Sequence, residues 1–271
     1  MCFFCATFRY CKYAFKSIYY NQKRKYSTAH TAERKGGKMK KAEIGNKEFK
    51  EMTTFEREKF VRECMVTWNH SGKMNGIYSL STSCTANPFC KARQKESNSI
   101  CSHCYAETLQ QMRKELREKL ERNFHILTTV LFDVSDFPLL NALYFRLEAF
   151  GDLFNEIQAR NYIRFAKRNP KVTFALWTKN PFILEKAIEA EGKPKNLVVV
   201  LSAEKLDIIE PEKKYQQMKE RFSFIDKMFF VHDKKAAENN EIDINCGARN
   251  CLTCGRCYSK RTAPIVNELL K

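Results

Sequence analysis

VTFALWTKNPFILEKAIEAEGKPKNLVVVLSAE, residues 172–204, decides the fold. Val172 to Trp177 is rich in β-branched and aromatic residues, the composition of a strand. Leu197 to Leu201 is a second such run with no polar residue in it. Between them Thr178-Lys179-Asn180-Pro181 ends the first strand and opens a helix through about Glu191, because proline is tolerated in a first helical turn and not inside one. A helix-bearing connection is what a parallel pair of strands needs, so the stretch predicts a crossover unit.

The same alternation runs outward in both directions. Leu143 to Ala149 (LYFRLEA) reads as a strand ended by Gly151-Asp152, and residues 155–168 as a helix ending at Asn169-Pro170. Downstream, a helix near 211–221 leads to a strand over Lys227 to Val231 (KMFFV) and then to His232-Asp233. Upstream, Gly76 to Ser83 (GIYSLSTS) reads as a short strand, and residues 105–126 as one helix with the apolar stripe Leu109, Met112, Leu116, Leu120. The expected class is α/β: a parallel sheet of about five to six strands with crossover helices, either an open doubly wound sheet or a partial or irregular (β/α) barrel. Four segments are expected. They are a leader over 1–38, an N-terminal helical segment over 39–70 with its spacing around Phe55, Phe60 and Cys64, a β/α core over 71–240, and a cysteine-rich extension over 241–271.

In parallel α/β folds ligands gather at the carboxyl ends of strands, and polar residues recur there. Glu148, Gly151 and Asp152 follow one strand, Lys179 and Asn180 the next, Ser202 and Glu204 the next, and His232-Asp233 the last. Glycine lets backbone approach a ligand, and a carboxylate pairs with an ammonium. The same Gly-Asp also suits an ordinary turn, and Asn180 before Pro181 suits a helix cap. Arg146 and Glu148 share a strand face by period two and are expected to point inward together.

Eight of the twelve cysteines form two groups. Cys84, Cys90, Cys101 and Cys104 follow the first strand, and Cys246, Cys251, Cys254 and Cys257 follow the last. Thiolates at CxxC spacing suit a shared ion better than a disulfide framework, and both a [4Fe–4S] cluster and zinc take four of them. Cys251-x2-Cys254-x2-Cys257 has the tight spacing of ferredoxin-type ligation. A cysteine loop after the first strand of a repeating β/α unit resembles the radical S-adenosylmethionine enzymes, although the interval before CxxC is longer here. The resemblance implies Cys84, Cys101 and Cys104 as ligands of an open-sided cluster, with Cys90 as alternate or fourth ligand. It implies Gly151-Asp152 at the cosubstrate's ammonium, Lys179 and Asn180 at its carboxylate or ribose or at the substrate, Ser202 and Glu204 at its ribose, and a second cluster on the C-terminal group. It also implies one-electron chemistry fed by a flavodoxin or ferredoxin.

A closer resemblance covers most of residues 70–258 and rests on SLSTSC, CSHCYAE, YFRLEAFGDL, FALWTKN, LVVVLSAEKL and the terminal cysteines. It is to the phage gene product 88 family, and it implies a metal-binding α/β protein of phage or mobile-element origin without supplying a reaction.

Charge bounds the rest. The net charge is +17, and residues 1–38 hold nine basic residues and one acid, so +8 of it lies there and +9 on the remaining 233 residues. A basic surface attracts nucleic acid or another polyanion, or is simply solvated. It supports a second reading, a non-enzymatic zinc protein with four-cysteine sites that binds nucleic acid. A third is a redox sensor with no cosubstrate. The substrate is unknown; nucleic acid, nucleotide and modified peptide are the classes the charge suggests. The sequence has no eighteen-residue apolar run and no secretory leader, so a cytoplasmic protein without a membrane partner is expected. Lys35-Gly36-Gly37-Lys38-Met39 admits purine-rich codons of a ribosome-binding site before a start codon, so translation is expected to begin at Met39. The rival reading of 1–38 is a targeting or interaction arm.

Overall fold

The computed structural model describes residues 46–270. The expected leader over 1–38 and start at Met39 lie outside them. Three short elements come first: helix α1 (Asn46–Glu51), helix α2 (Thr54–Phe60) running into a π-turn (Val61–Met65), and strand β1 (Thr67–Trp68). The order continues β2 (Tyr78–Leu80), α3 (Pro88–Gln94), α4 (Tyr105–Met112), α5 (Lys114–Thr129), β3 (Tyr144–Leu147) and α6 (Glu156–Arg168). Then come β4 (Thr173–Thr178), α7 (Pro181–Glu191), β5 (Leu197–Ser202), α8 (Pro211–Arg221) and β6 (Lys227–His232). The last are α9 (Lys234–Asn239), α10 (Cys251–Cys254) and β7 (Ile265–Leu269).

The seven strands form one sheet in sequence order, β1 to β7, with β1 antiparallel to β2 and every other pair parallel. A doubly wound sheet reverses its order at a switch point; this one does not. With right-handed crossovers, an unreversed order sends the connecting helices to one face. The packing agrees. Leu80, Phe145, Leu147, Phe174, Leu176, Leu197 and Val199 meet Tyr162, Ile163, Phe165 and Ala166 of α6 and Leu184 and Ala187 of α7 in the main core. An aromatic ladder runs through it, from Phe49 to Phe132 (4.7 Å between ring centres), Phe137 (5.1 Å) and Phe165 (4.7 Å). Each buried phenylalanine contributes about 2–3 kcal/mol.

The opposite face carries the alternate residues, among them Ile77, Tyr144, Ala175 and Trp177, and its cover is the C-terminal cysteine segment: Cys251, Leu252, Cys257 and Tyr258. Residues 241–270 are therefore built into the sheet. Their second half is β7, paired with β6 from Met228↔Ile265 to His232↔Leu269. Among the described residues the sheet has seven strands, against five to six expected, because β1 and β7 are too short or too mixed in polarity to read as strands alone.

Three other expectations shift. The helix over 105–126 is two helices, broken at Arg113, whose backbone is extended (φ −122°, ψ 94°). The break resets the phase, so Met112 is exposed while α4 buries Ala106 and Gln110 and α5 buries Leu120, Phe124 and Leu127. The N-terminal segment buries Phe49 and Phe60 and leaves Phe55 exposed. The strand over 76–83 pairs only at Tyr78–Leu80, yet Ser81, Thr82 and Ser83 stay buried.

Candidate functional site

The carboxyl ends of β2 to β5 bring the first cysteine group together. Cys84 follows β2, Cys90 sits in α3 behind an Asn87 cap, Cys101 lies in a one-turn helix capped by Ser99, and Cys104 immediately precedes α4. The turn is tied to the β5 end, where Ile100 N donates to Glu204 O (3.0 Å) and Arg93 pairs with the Glu204 carboxylate (2.7 Å). Gln110 Nε2 donates to Cys84 Sγ at 2.8 Å. Cys84 faces Cys104 and, together with the amides of Glu107 and Ala106, holds the Cys104 thiol below the usual thiol range. Burial pushes Cys90 and Cys101 up, and the Asp152 carboxylate adds to both.

Lys179 faces this group from the end of β4. Burial disfavours its charge, but Cys101, Asp152, Cys90 and Cys104 outweigh that and hold its pKa above the usual lysine value. A cation among thiols is the electrostatic partner that thiolate ligands require. Among the described residues, no three histidine, cysteine or acidic side chains form a ready cage for an ion. The donor set itself, four thiols ringed by an amide, helix N-terminal N–H groups and an ammonium, fits a thiolate-held metal or cluster.

Glu148 and Asp152 are engaged by internal donors. Glu148 stands in the left-handed region (φ 54°), which ends strand alternation after Leu147. Its buried carboxylate accepts from Thr82 N (3.1 Å), Thr82 Oγ1 (2.9 Å), Gln158 Nε2 (2.7 Å) and the Tyr162 hydroxyl. Arg146 reaches only its carbonyl, at 3.5 Å. The expected inward pair of Arg146 and Glu148 is therefore split, because the turn at Glu148 sends its side chain away from the Arg146 face. Burial raises the Glu148 carboxyl to about 6. Asp152 accepts from Thr178 Oγ1 (2.6 Å), Lys179 N (2.9 Å) and Leu153 N (2.7 Å). Gly151 has a packing reason: a Cβ there would lie 2.5 Å from Thr82 Oγ1 and 2.8 Å from both Thr82 O and Glu148 Oε2.

The other strand-end residues divide. Ser202 is buried at the end of β5, and Asn180 sits at the cap position of α7 with its side chain toward Leu153 O (3.4 Å) instead of the helix amides. His232 is buried against Asn267 Oδ1 (3.3 Å), and Asp233 caps α9.

The second cysteine group lies on the sheet face opposite the main crossover-helix core. α10 starts at an Asn250 cap and ends at Gly255, whose φ is +62° and where an added Cβ would lie 2.9 Å from the Tyr144 hydroxyl, so both suit a residue without Cβ. Lys73 Nζ reaches Cys246 Sγ (3.8 Å) and Glu268 (2.7 Å). Burial pushes the Cys257 thiol up to about 12. Lys227, fully buried on β6, is held by Thr262 O, Thr262 Oγ1 and Ala263 O at 2.9–3.0 Å, just past this group. Each cysteine group is thus matched by cations. Sequence reasoning missed Lys73, Lys227, Tyr105, whose hydroxyl donates to Ala149 O (2.5 Å), and Tyr258, whose ring stacks on Tyr144 (4.5 Å). The repeated Cys-Tyr step, Cys104-Tyr105 and Cys257-Tyr258, was the available signal for the last two.

A sequentially ordered, mostly parallel α/β sheet with two four-cysteine groups defines the class of this protein. The gene product 88 family model matches residues 46–260, and the chain belongs to that family. The match starts ahead of residue 70, so it takes in α1 and α2. No curated protein and no solved structure matches the chain. Among the described residues no helix is long and apolar enough to cross a membrane.

Proposed function

We propose that this is an iron–sulfur protein of phage or mobile-element origin that works in the manner of the radical S-adenosylmethionine enzymes, on a sheet curved as a partial β/α barrel. The observation that carries the reading is the first cysteine group. It follows the first parallel strand and meets Asp152 and Lys179 from the next two strand ends. Cys84, Cys101 and Cys104 would hold a [4Fe–4S] cluster with Cys90 as alternate or fourth ligand, and Cys246, Cys251, Cys254 and Cys257 a second. When bound, such a cluster and S-adenosylmethionine supply one-electron chemistry. The chain's own residues set the charge and the access. Lys179 offsets thiolate charge. Asp152 fixes the backbone of Lys179, and Glu148 fixes Thr82 beside the loop that opens at Cys84. Asn180, Ser202 and Glu204 stand at successive strand ends where a nucleoside and a substrate would lie. A flavodoxin or ferredoxin would deliver the electron.

The charge of +17 favours a second reading, a zinc-stapled protein that binds nucleic acid. One measurement separates the two. Protein purified without oxygen is assayed for iron, sulfide and zinc, and its electron paramagnetic resonance spectrum is recorded with and without S-adenosylmethionine. The first reading expects iron and sulfide and a spectrum altered by the cosubstrate. Zinc without sulfide would replace it with the second reading, and a cluster blind to the cosubstrate would leave a redox sensor.

A further inference from the structure

Arg146 has no carboxylate partner, and of the residues the proposed function uses only the thiols of Cys251 and Cys257 stand near its charge. It projects from β3 on the face that carries Trp177, in register with Ala175 of β4. Its guanidinium carbon lies 3.1 Å from the centre of the Trp177 ring. Its strongest charged neighbours are Tyr258, Tyr105, Cys257 and Cys251, and no carboxylate stands among them. Among the described residues the buried Nε of Arg146 makes no hydrogen bond, and neither does the buried hydroxyl of Tyr258. The two groups face each other: burial pushes the Tyr258 hydroxyl's pKa up, and the charge of Arg146 together with a long side-chain contact from it draws it part of the way back. Tyr258 is 5% exposed, and its ring is stacked on Tyr144 at 4.5 Å, so its hydroxyl is fixed in place.

Buried donors are nearly always paired, and a buried guanidinium needs an anion. Here a cation and a hydroxyl, both held rigid by aromatic stacking, face each other beside the C-terminal thiols with no carboxylate among their neighbours. The walls around them, Trp177, Tyr144 and Tyr258, are aromatic, which suits an organic anion over a hydrated inorganic one. We propose that Arg146 and Tyr258 form a binding site for the carboxylate of a small organic substrate, on the sheet face between the two cysteine groups. The carboxylate accepts from Arg146 Nε and from the Tyr258 hydroxyl, and Trp177 holds the guanidinium plane. The site stands whichever metal the cysteines take, and it borders the strand-end residues at Glu148, whose carbonyl Arg146 reaches at 3.5 Å.

The chain has two tryptophans, Trp68 and Trp177, so Trp68→Phe leaves Trp177 as a reporter under the guanidinium. The full chain with its native metal content is titrated with sodium benzoate at constant ionic strength, with sodium phosphate and sodium chloride as parallel arms. A saturable change in Trp177 emission is expected with benzoate alone. Arg146→Gln should weaken it at least tenfold, about the effect of losing one charge-assisted hydrogen bond. Tyr258→Phe should weaken it by a factor of about three to ten, as for a neutral hydrogen bond. Metal content and thermal midpoint are measured on each variant; if Arg146→Gln does not fold, the parent titration and Tyr258→Phe decide.

No saturable response to benzoate up to roughly 10 mM would overturn the proposal, since affinities weaker than that are not specific on this scale. Equal affinity in both variants would overturn it too, as would phosphate binding as tightly as benzoate. Loss of metal from the C-terminal cysteines in Arg146→Gln, with no benzoate response in the parent, would identify the thiolate centre as the counter-ion instead. The metal assay itself reads the iron–sulfur reading separately, so either can fail alone.

Discussion

Glu148 shows how one residue fixes the edge of the site. Its left-handed backbone is unfavourable for a residue with a Cβ, and four donors converging on its carboxylate hold it there. The carboxyl's pKa is about 6 when folded against an ordinary 4.5, because burial outweighs its hydrogen bonds. A raised carboxyl pKa means that the folded state binds its proton more tightly, so its contribution to stability is full below pH 4.5 and is lost as pH rises through 6. That loss is about 2 kcal/mol for this group. Denaturant midpoints across this window should therefore fall with pH more steeply in the parent chain than in Glu148→Gln, and parallel curves would remove Glu148 as the cause. Gly151→Ala acts by space alone. Its Cβ would meet the Thr82 carbonyl as well as the movable hydroxyl, so rotating one side chain gives no relief. A loss of about 1–3 kcal/mol is expected in urea unfolding, and an unchanged midpoint would show that the 149–152 loop can retreat.

Among the elements, β4 and β5 were legible because their residues are apolar on both faces, as a sheet covered on both sides demands. The helix between them was legible from its Asn180-Pro181 start. What period cannot reveal is a break such as Arg113, where two helical phases join without a proline or glycine. Nor can it reveal a strand that exists only because a neighbour pairs with it. β7 (IVNEL) places Val266 and Glu268 toward the C-terminal cysteine face and Asn267 toward His232, a mixed pattern that reads as tail. The strand-end positions of the candidate site were legible too, whereas the split of Arg146 from Glu148 was not, because a single positive φ reverses a side chain without any mark in composition. The status of β7 is testable through Val266, which is fully buried. Val266→Asp places an unpaired charge inside the sheet and should cost about 3–5 kcal/mol. A peripheral tail would lose under about 0.5 kcal/mol, and the shift in denaturant midpoint distinguishes the two.

At the scale of the whole molecule, the two cysteine segments are long stretches with only short pieces of regular structure. Residues 81–104 hold one short helix and a single turn of tighter helix, and 240–264 hold only α10 and another such turn. The helix-side core, by contrast, is continuous from Phe49 to Val199 and closed by aromatic stacking. If thiolate-bound metal orders these segments, its removal should open them locally while β3 to β6 stay folded, since binding energy at a structural site is folding energy for the segment it pins. Hydrogen exchange on chelator-treated protein should then show protection lost at 84–104 and 246–258 and kept through 144–232, with a thermal midpoint lowered by several degrees. Each kcal/mol of lost binding shifts the midpoint by about 2–4 °C at this length. Cys251→Ser with Cys254→Ser should reproduce the loss at 246–258 alone, because the first group has its own cation at Lys179 and its own donor at Gln110. Exchange that rises uniformly over the sheet would mean that the metals hold the core itself, and exchange unchanged in both segments would mean that hydrogen bonds such as Ile100 N to Glu204 O and Lys227 to Thr262 suffice without them.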